Sequence, residues 1–370
     1  MTIIGKLVKA TAARLLNPHF SGPPQCRARC HAPPRPPCQP SSLPGRRKLK
    51  IMFFGTDEFA VESLATLHRE LGTGGCLTGL EVVSLPLRPP AATPVTKFAQ
   101  DKQLTCHVWP PDKDLITSQQ FDLGVVASFG RLIPTYLIHS FPLGMINVHG
   151  SLLPRWRGAA PVVAALAAGD TRTGVTIMRV RPHKFDVGEV LATESCDICE
   201  EIRRPELTAR LAGLGAGLLL DTLQQLETAL ARASQQEEAG ASLAPAVTRA
   251  RARLDWAELS AWQVYNLWRA LGDLHRLRSI YSSTGLSLRL GTVLHPRVLA
   301  GAALDTKAEP GSLTFLRRSK RERFLCVKCR EGWVAVSDVY YHNKKVMSPL
   351  DFYNGLLSRP GPHKLLRDDG

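Results

Sequence analysis

Three side chains in this sequence have the types and placement for proton and oxyanion chemistry: Asn147, His149 and Asp186. Asn147 and His149 stand two residues apart in an apolar run, so on a strand both project to the same face. An amide donates hydrogen bonds without titrating, and an imidazole can carry a proton near neutral pH. The segment Gly150 to Pro154 forces a loop directly after them. Asp186 lies in Phe185-Asp186-Val187-Gly188, a second loop after a strand-like run. A carboxylate near His149 would orient the ring and stabilise its charge. Singly, each residue has a bland use: Asn147 and His149 can hydrogen-bond loop backbone, and Asp186 can cap a turn. Together at one sheet edge they suit a group transfer in which an oxyanion develops and a leaving atom takes a proton.

These residues need a frame of strands and helices. Lys48–Phe54 reads as a strand, Gly55-Thr56-Asp57 as a turn with an N-cap, and the residues to about Leu71 as a helix. Leu80–Leu85, Phe121–Ala127 and Met145–Val148 are further apolar runs with helical stretches between them, followed by Val175–Val180 and Val190–Ile198. Alternating strands and helices predict an α/β fold with a parallel sheet, whose ligands bind at the C-terminal strand edge. Leu207–Arg232 predicts one long helix, and the Gln-, Glu- and Ser-rich stretch Ala233–Ala246 reads as a linker. Beyond it, a helix at about 259–271 leads into Leu286–Leu290, Ser312–Leu316, Phe324–Val327 and Trp333–Val336, the pattern of a small β-barrel or sandwich.

Several functions are disfavoured. The first strand–helix turn is Phe-Phe-Gly-Thr-Asp-Glu-Phe, without the glycines of a dinucleotide fingerprint, and there is no P-loop. Gly213, Gly215 and Gly217 lie inside the long helix, where close helix packing explains them. No apolar run reaches the ~18 residues of a membrane span. The pairs Cys196/Cys199 and Cys326/Cys329 are about 126 residues apart, unlike a compact zinc ribbon, and read as free thiols without a metal.

Charge divides the chain. Residues 1–50 carry 10 Lys+Arg and no acid, residues 51–250 are net −4, and residues 251–370 are net +9. In the leader, Ile4, Leu7, Val8 and Leu15 share one helical face, with Lys6 and Lys9 opposite. That acid-free amphipathic pattern fits a mitochondrial transit peptide better than a basic nucleic-acid-binding tail. The basic C-terminal part favours a polyanionic partner, nucleic acid first.

The stretch Asn147-Val-His-Gly-Ser-Leu-Leu-Pro-Arg-Trp-Arg-Gly-Ala-Ala-Pro161 resembles the signature of methionyl-tRNA formyltransferases, within the wider group that uses 10-formyltetrahydrofolate. FFGTDEFA, VASFGRLIP, GDTRTGVTIM and FDVGEVL fall in the family's order around it, and ARLDWAELSAWQVYNLWRALG and VMSPLDFYNGLL extend the likeness over about 49–358. The resemblance implies a Rossmann-like formyltransferase domain followed by a small OB-like β-barrel. It implies catalytic roles for Asn147, His149 and Asp186, and a folate pocket around Phe129, Gly130, Arg131, Leu132 and Ile133 and around Ser151, Leu152, Leu153 and Pro154. It also implies initiator methionyl-tRNA as the acceptor and 10-formyltetrahydrofolate as the donor, with no metal, no membrane and a monomer acting in the mitochondrial matrix. The division then runs 1–47 transit peptide, 48–232 catalytic domain, 233–250 linker, 251–358 tRNA-binding domain and 359–370 tail. Candidate tRNA contacts are Arg155, Trp156 and Arg157 beside the site, and Arg317, Arg318, Lys320, Arg321, Arg323, Lys344 and Lys345 beyond it.

The sequence departs from the family pattern in the stretch SLPLRPPAATPVTK. Bacterial members carry a longer basic loop there; here Arg88 is the sole basic residue before Lys97. Val187 stands where a Thr is usual, and SLAPAVTRA replaces a more regular linker motif. Alternative readings keep the site but change the acceptor to water or an amino sugar, or make the chain a non-catalytic RNA-binding protein on a retained transferase fold.

Overall fold

The computed structural model describes residues 48–86, 91–112, 114, 116, 120–342, 346–361 and 363–368. The leader, Arg88, Lys344 and Lys345 lie outside them, and so do the expectations placed there.

A seven-stranded sheet runs in the order β3-β2-β1-β4-β5-β6-β7. Its strands are β1 (Leu49–Gly55), β2 (Leu77–Ser84), β3 (Cys106–Val108), β4 (Leu123–Ala127), β5 (Met145–His149), β6 (Arg172–Arg179) and β7 (Val190–Asp197). The first five in spatial order are parallel. The sheet departs from the parallel expectation at its far edge, where β6 runs antiparallel to β5 and β7 antiparallel to β6. Between β6 and β7 no helix intervenes, so the chain lacks the crossover a parallel return requires.

Period-2 alternation explains how the sheet buries both faces. On β1, Ile51 and Phe53 join the larger core with Leu64 and Leu67 of α1 (Glu58–Gly72), while Met52 and Phe54 join a second core with Leu137 and Ile138 of α3 (Thr135–His139). Helix α2 (Pro94–Asp101) is capped by Thr93, whose hydroxyl accepts from the Thr96 amide. Helix α4 (Pro161–Ala168) follows the loop after β5, and α5 (Arg204–Gln224) covers the larger core. Gly215 gives α5 its close approach to the site strand: a Cβ there would come within 2.8 Å of Val148. The single helix expected over 207–232 is broken at Gln225, after which α6 (Leu226–Ala231) begins.

The C-terminal part opens with α7 (Ala261–Leu271), started by a reciprocal Ser260–Gln263 capping box. Its strands form two antiparallel sheets. One is β10 (Leu313–Arg317), β11 (Arg323–Lys328) and β12 (Trp333–Val336) in that order. The other runs β14-β13-β9-β8-β15, from β8 (Arg278–Tyr281), β9 (Leu286–Leu290), β13 (Val339–Tyr341), β14 (Val346–Met347) and β15 (Leu365–Leu366). Helix α8 (Pro349–Phe352) puts Phe352 against Tyr281 and Tyr341. The larger core continues from the first sheet into this part through Trp256, Tyr265 and Trp268. Buried Arg269 donates to the carbonyls of Cys199 and Glu200, and Arg204 pairs with Asp273, so the seven-stranded part and α7 are joined by apolar and ionic contacts. No helix among the described residues is long and apolar enough to cross a membrane.

Candidate active site

A cavity of 510 Å³ opens at the C-terminal edge of β1, β4 and β5. The β1–α1 turn contributes Thr56 and Asp57, and the first turn of α1 contributes Phe59. Asp57 caps α1 by accepting from the Ala60 amide, and it also accepts from the Ser128 hydroxyl; Thr56 donates to the Ser128 carbonyl. The two strand ends are thereby tied together. Phe129–Ile133 form a second wall, packed from behind by Trp109 against Phe129.

Asn147 and His149 reach the cavity from β5, and Asp186 comes from the loop between β6 and β7. His149 is 6% exposed and Asp186 9%. Asp186 Oδ2 accepts from the Gly158 amide at 2.8 Å. Its Oδ1 accepts from Asn147 Nδ2 at 3.3 Å and stands 3.6 Å from His149 Nδ1. That last separation is an ion-pair distance, too long for a hydrogen bond. On the other side of the ring, His149 Nε2 lies 3.0 Å from the Trp156 carbonyl. A carbonyl only accepts, so Nε2 carries a proton; Nδ1 meets a carboxylate favourably only if it is protonated too. The arrangement suits imidazolium, with Nδ1–H and the Asn147 amide converging beside the carboxylate.

The loops that make this geometry are held in unusual backbone. Trp156 and Asp186 have φ of 64° and 56°. A bulky side chain rarely adopts the left-handed region, and each such residue costs of order 1–3 kcal/mol. Gly158, at φ 120°, could not be replaced without strain, because a Cβ there would lie 2.7 Å from the Ala244 carbonyl. Trp156 is fixed by its amide donating to Ser242 Oγ and its indole N–H donating to Asp170. Thr176 on β6, in register with His149, donates its hydroxyl to the Ser151 carbonyl and accepts from the Leu153 amide.

The structure thus gathers Asn147, His149, Asp186 and Phe129–Ile133 around one cavity. Ser151, Leu152, Leu153 and Pro154 do not line it: the Ser151 hydroxyl donates to the Arg155 carbonyl, and Leu153 is buried. Arg155 forms a two-pronged pair with Asp170, which raises its pKa, and its guanidinium lies over the Trp156 ring. Arg157, expected as a tRNA contact, is instead turned inward, its side chain only 10% exposed and bonded to Gln236 and Glu238. Sequence reasoning missed Thr56, Asp57, Lys184, Arg204, Thr208, Val247 and Leu274, which also line the cavity. The strand–turn–helix pattern at 48–71 was the available signal for Thr56 and Asp57; nothing local in the sequence marks Val247 or Leu274. Cys196, Cys326 and Cys329 are free and buried, which pushes the last two thiols up to about 12, but Cys199, expected as a free thiol, is disulfide-bonded. Among the described residues no three or more His, Cys, Asp or Glu side chains could hold a metal ion.

A parallel-edge cavity holding an amide, an imidazole and a carboxylate, with no nucleotide fingerprint, marks an α/β group transferase. Comparison with known proteins makes the class specific. The family described as formyl transferase matches residues 84–223, and formyl transferase, C-terminal domain, matches residues 246–357. The mitochondrial methionyl-tRNA formyltransferase of Homo sapiens is 38% identical over 323 residues, 86% of this chain and 81% of that one. Methionyl-tRNA formyltransferase of Methylococcus capsulatus is 33% identical over 317 residues, 83% of this chain and 96% of its own. Among solved structures, an N-formyltransferase from Helicobacter canadensis shares the fold, with a TM-score of 0.57 at 14% identity over 79% of this chain and 100% of that one. The chain belongs to the methionyl-tRNA formyltransferase family.

Proposed function

We propose that this chain transfers the formyl group of 10-formyltetrahydrofolate to the α-amine of initiator methionyl-tRNA. The observation that carries this reading is the convergence of Asn147, His149 and Asp186 on one wall of the cavity, in a chain with close methionyl-tRNA formyltransferase relatives. The amine nitrogen bonds to the formyl carbon, and the carbonyl oxygen becomes an oxyanion. Asn147 Nδ2 and His149 Nδ1–H donate to it, each such donor being worth roughly 10²–10³ in rate. The bond to N10 then breaks, and His149 supplies the proton that N10 takes up. Asp186 stabilises the imidazolium and receives the amine proton, directly or through water. The apolar wall at Phe129 and Ile133 suits the flat pterin of the donor, and exposed Arg131 and Lys184 suit the carboxylates of its tail.

The same reading assigns 48–232 to catalysis and 251–358 to tRNA binding. Arg317 and Arg323 are paired across β10 and β11, and Arg318, Lys320 and Arg321 sit on the exposed turn between them. Among the described residues none of these five forms an ion pair with a carboxylate, whereas Arg155, Arg157, Arg181 and Arg204 all do. Like charges directly opposite across strands repel, and phosphate would relieve that. The acid-free leader and the mitochondrial relatives support action in the mitochondrial matrix. The test is incubation of the purified chain with radiolabelled formyl donor and charged initiator tRNA. Label in the aminoacyl-tRNA is expected; formate release without it would favour the hydrolase. A leader–reporter fusion that stays cytosolic would remove the mitochondrial assignment.

A further inference from the structure

The stretch 233–246 has the composition of a linker, yet it lies along the two loops that build the site. The Ser234 amide and carbonyl bond the carbonyl and amide of Val190. Gln235 donates to Glu189, and Glu238 holds Arg157. Ser242 accepts from the Trp156 amide, and Ala244 exchanges backbone bonds with Arg157 and Ala160. The segment is a strap across 156–160 and 186–190.

Gln236 is the strap's contact with the reactive groups. Its Nε2 donates to the Asp186 carbonyl at 3.0 Å and to the Gly188 carbonyl at 2.8 Å. Its Oε1 accepts from Arg157 Nε at 3.0 Å. Both amide hydrogens and the oxygen are thus engaged, and each bond falls on a loop that supplies a catalytic contact. Asp186 sits at φ 56°, a conformation that other interactions must hold in place. Arg157 lies between Trp156, whose carbonyl accepts a hydrogen bond from His149 Nε2, and Gly158, whose amide donates to Asp186 Oδ2.

We propose that Gln236 is a positioning residue for catalysis: its amide fixes the Asp186 backbone so that the carboxylate faces Asn147 and His149. It touches no reacting atom and acts through Asp186. This inference rests on the formyl-transfer reading above and assigns that same site a determinant outside the catalytic trio.

The test is single-turnover formyl transfer to methionyl-tRNA by the full chain and by Gln236→Ala, Asp186→Ala and the double variant, with thermal melting to establish folding. Gln236→Ala is expected to lower the transfer rate roughly tenfold or more, with the apparent affinity for the donor changed by less than about twofold. In the Asp186→Ala background the same substitution is expected to add less than about twofold, because a residue acting through Asp186 has nothing left to position. A folded Gln236→Ala with the unaltered rate overturns the proposal, and so does a loss that multiplies in full onto that of Asp186→Ala. Should Gln236→Ala fail to fold, Gln236→Asn serves under the same criteria, since it keeps the amide on a stem one methylene too short. An unaltered chain that transfers no formyl group overturns the functional reading and this inference together, and shows itself before any variant is compared.

Discussion

Asp186→Asn separates charge from shape at the site. The substitution is isosteric, and its remaining oxygen can still accept from the Gly158 amide now 2.8 Å from Oδ2. The new NH₂ then faces Asn147 Nδ2, at 3.3 Å in the parent, and His149 Nδ1, at 3.6 Å. Donors meet donors, and the negative charge opposite the ring is gone. Two unit charges 3.6 Å apart interact by about 5 kcal/mol at an effective dielectric near 20. At about 1.4 kcal/mol per tenfold in rate, that sets a ceiling of roughly 10³ on the loss from destabilising the imidazolium alone. A fall in kcat of roughly 10²–10³ is therefore expected, with the fold retained through the kept shape and the Gly158 bond and stability lower by about 1–3 kcal/mol, because buried donors then face one another. The assay is formyl transfer at saturating donor and tRNA, with a denaturant titration of the same preparation. A folded Asp186→Asn within about threefold of the parent kcat would refute the reasoning, since the carboxylate's charge would then play no part in the transition state.

Asn147→Ala and His149→Ala should each lower kcat by roughly 10²-fold or more and change donor affinity less, read from steady-state kinetics and a direct folate titration. Replacing Arg317, Arg318, Lys320, Arg321 and Arg323 by Ala should raise KM for methionyl-tRNA and flatten its log–log dependence on salt by about one unit for each phosphate the variant no longer neutralises. Donor affinity should not move, and an unchanged slope would make the cluster a solvated turn. The Arg181 guanidinium, bonded to Glu189, holds that carboxyl below its usual range. Its contribution to stability is therefore present above the unfolded carboxylate pKa and lost as pH falls through the lower folded value. Glu189→Gln should accordingly lose stability near neutral pH and little at strongly acid pH, as judged by melting temperature across that span.

The parallel strands and the residues that meet at the cavity wall were legible because both are written locally. Phe121–Ala127 and Met145–Val148 are apolar enough to be buried on both faces, and a polar pair two residues apart at a strand end has few structural uses. Strands β9 and β12 appeared with their observed bounds, since short alternating runs between turns carry their own period. The antiparallel β6 and β7 were not legible as such: their sequences show strand, and direction depends on what the connection between them leaves out. Arg157 misled for a related reason. An arginine in a polar loop has the same local signature whether it faces phosphate or, as here, Gln236 and Glu238 some 80 residues away.

The strap is the extreme case of that limit. Its residues have no helical or strand period because they form no helix and only two isolated bridges, Ser234 to Val190 and Leu243 to Arg157; their other partners are single carbonyls, amides, a carboxylate and a guanidinium. A polar, aperiodic stretch is what a flexible connection and a hydrogen-bonded brace have in common, and only the placement of its partners distinguishes them. Here two of the residues are held in uncommon backbone, Trp156 and Asp186 at positive φ, which local sequence preference alone does little to maintain. Strained loops need bonds from outside themselves, and at this site the outside is the segment that leads directly to Val247 at the cavity wall and then to the basic C-terminal part. The geometry of the cavity loops and the attachment of that part are thus fixed by one continuous run of chain. This makes the run a more informative place to perturb formyl transfer than any exposed residue of the loops themselves.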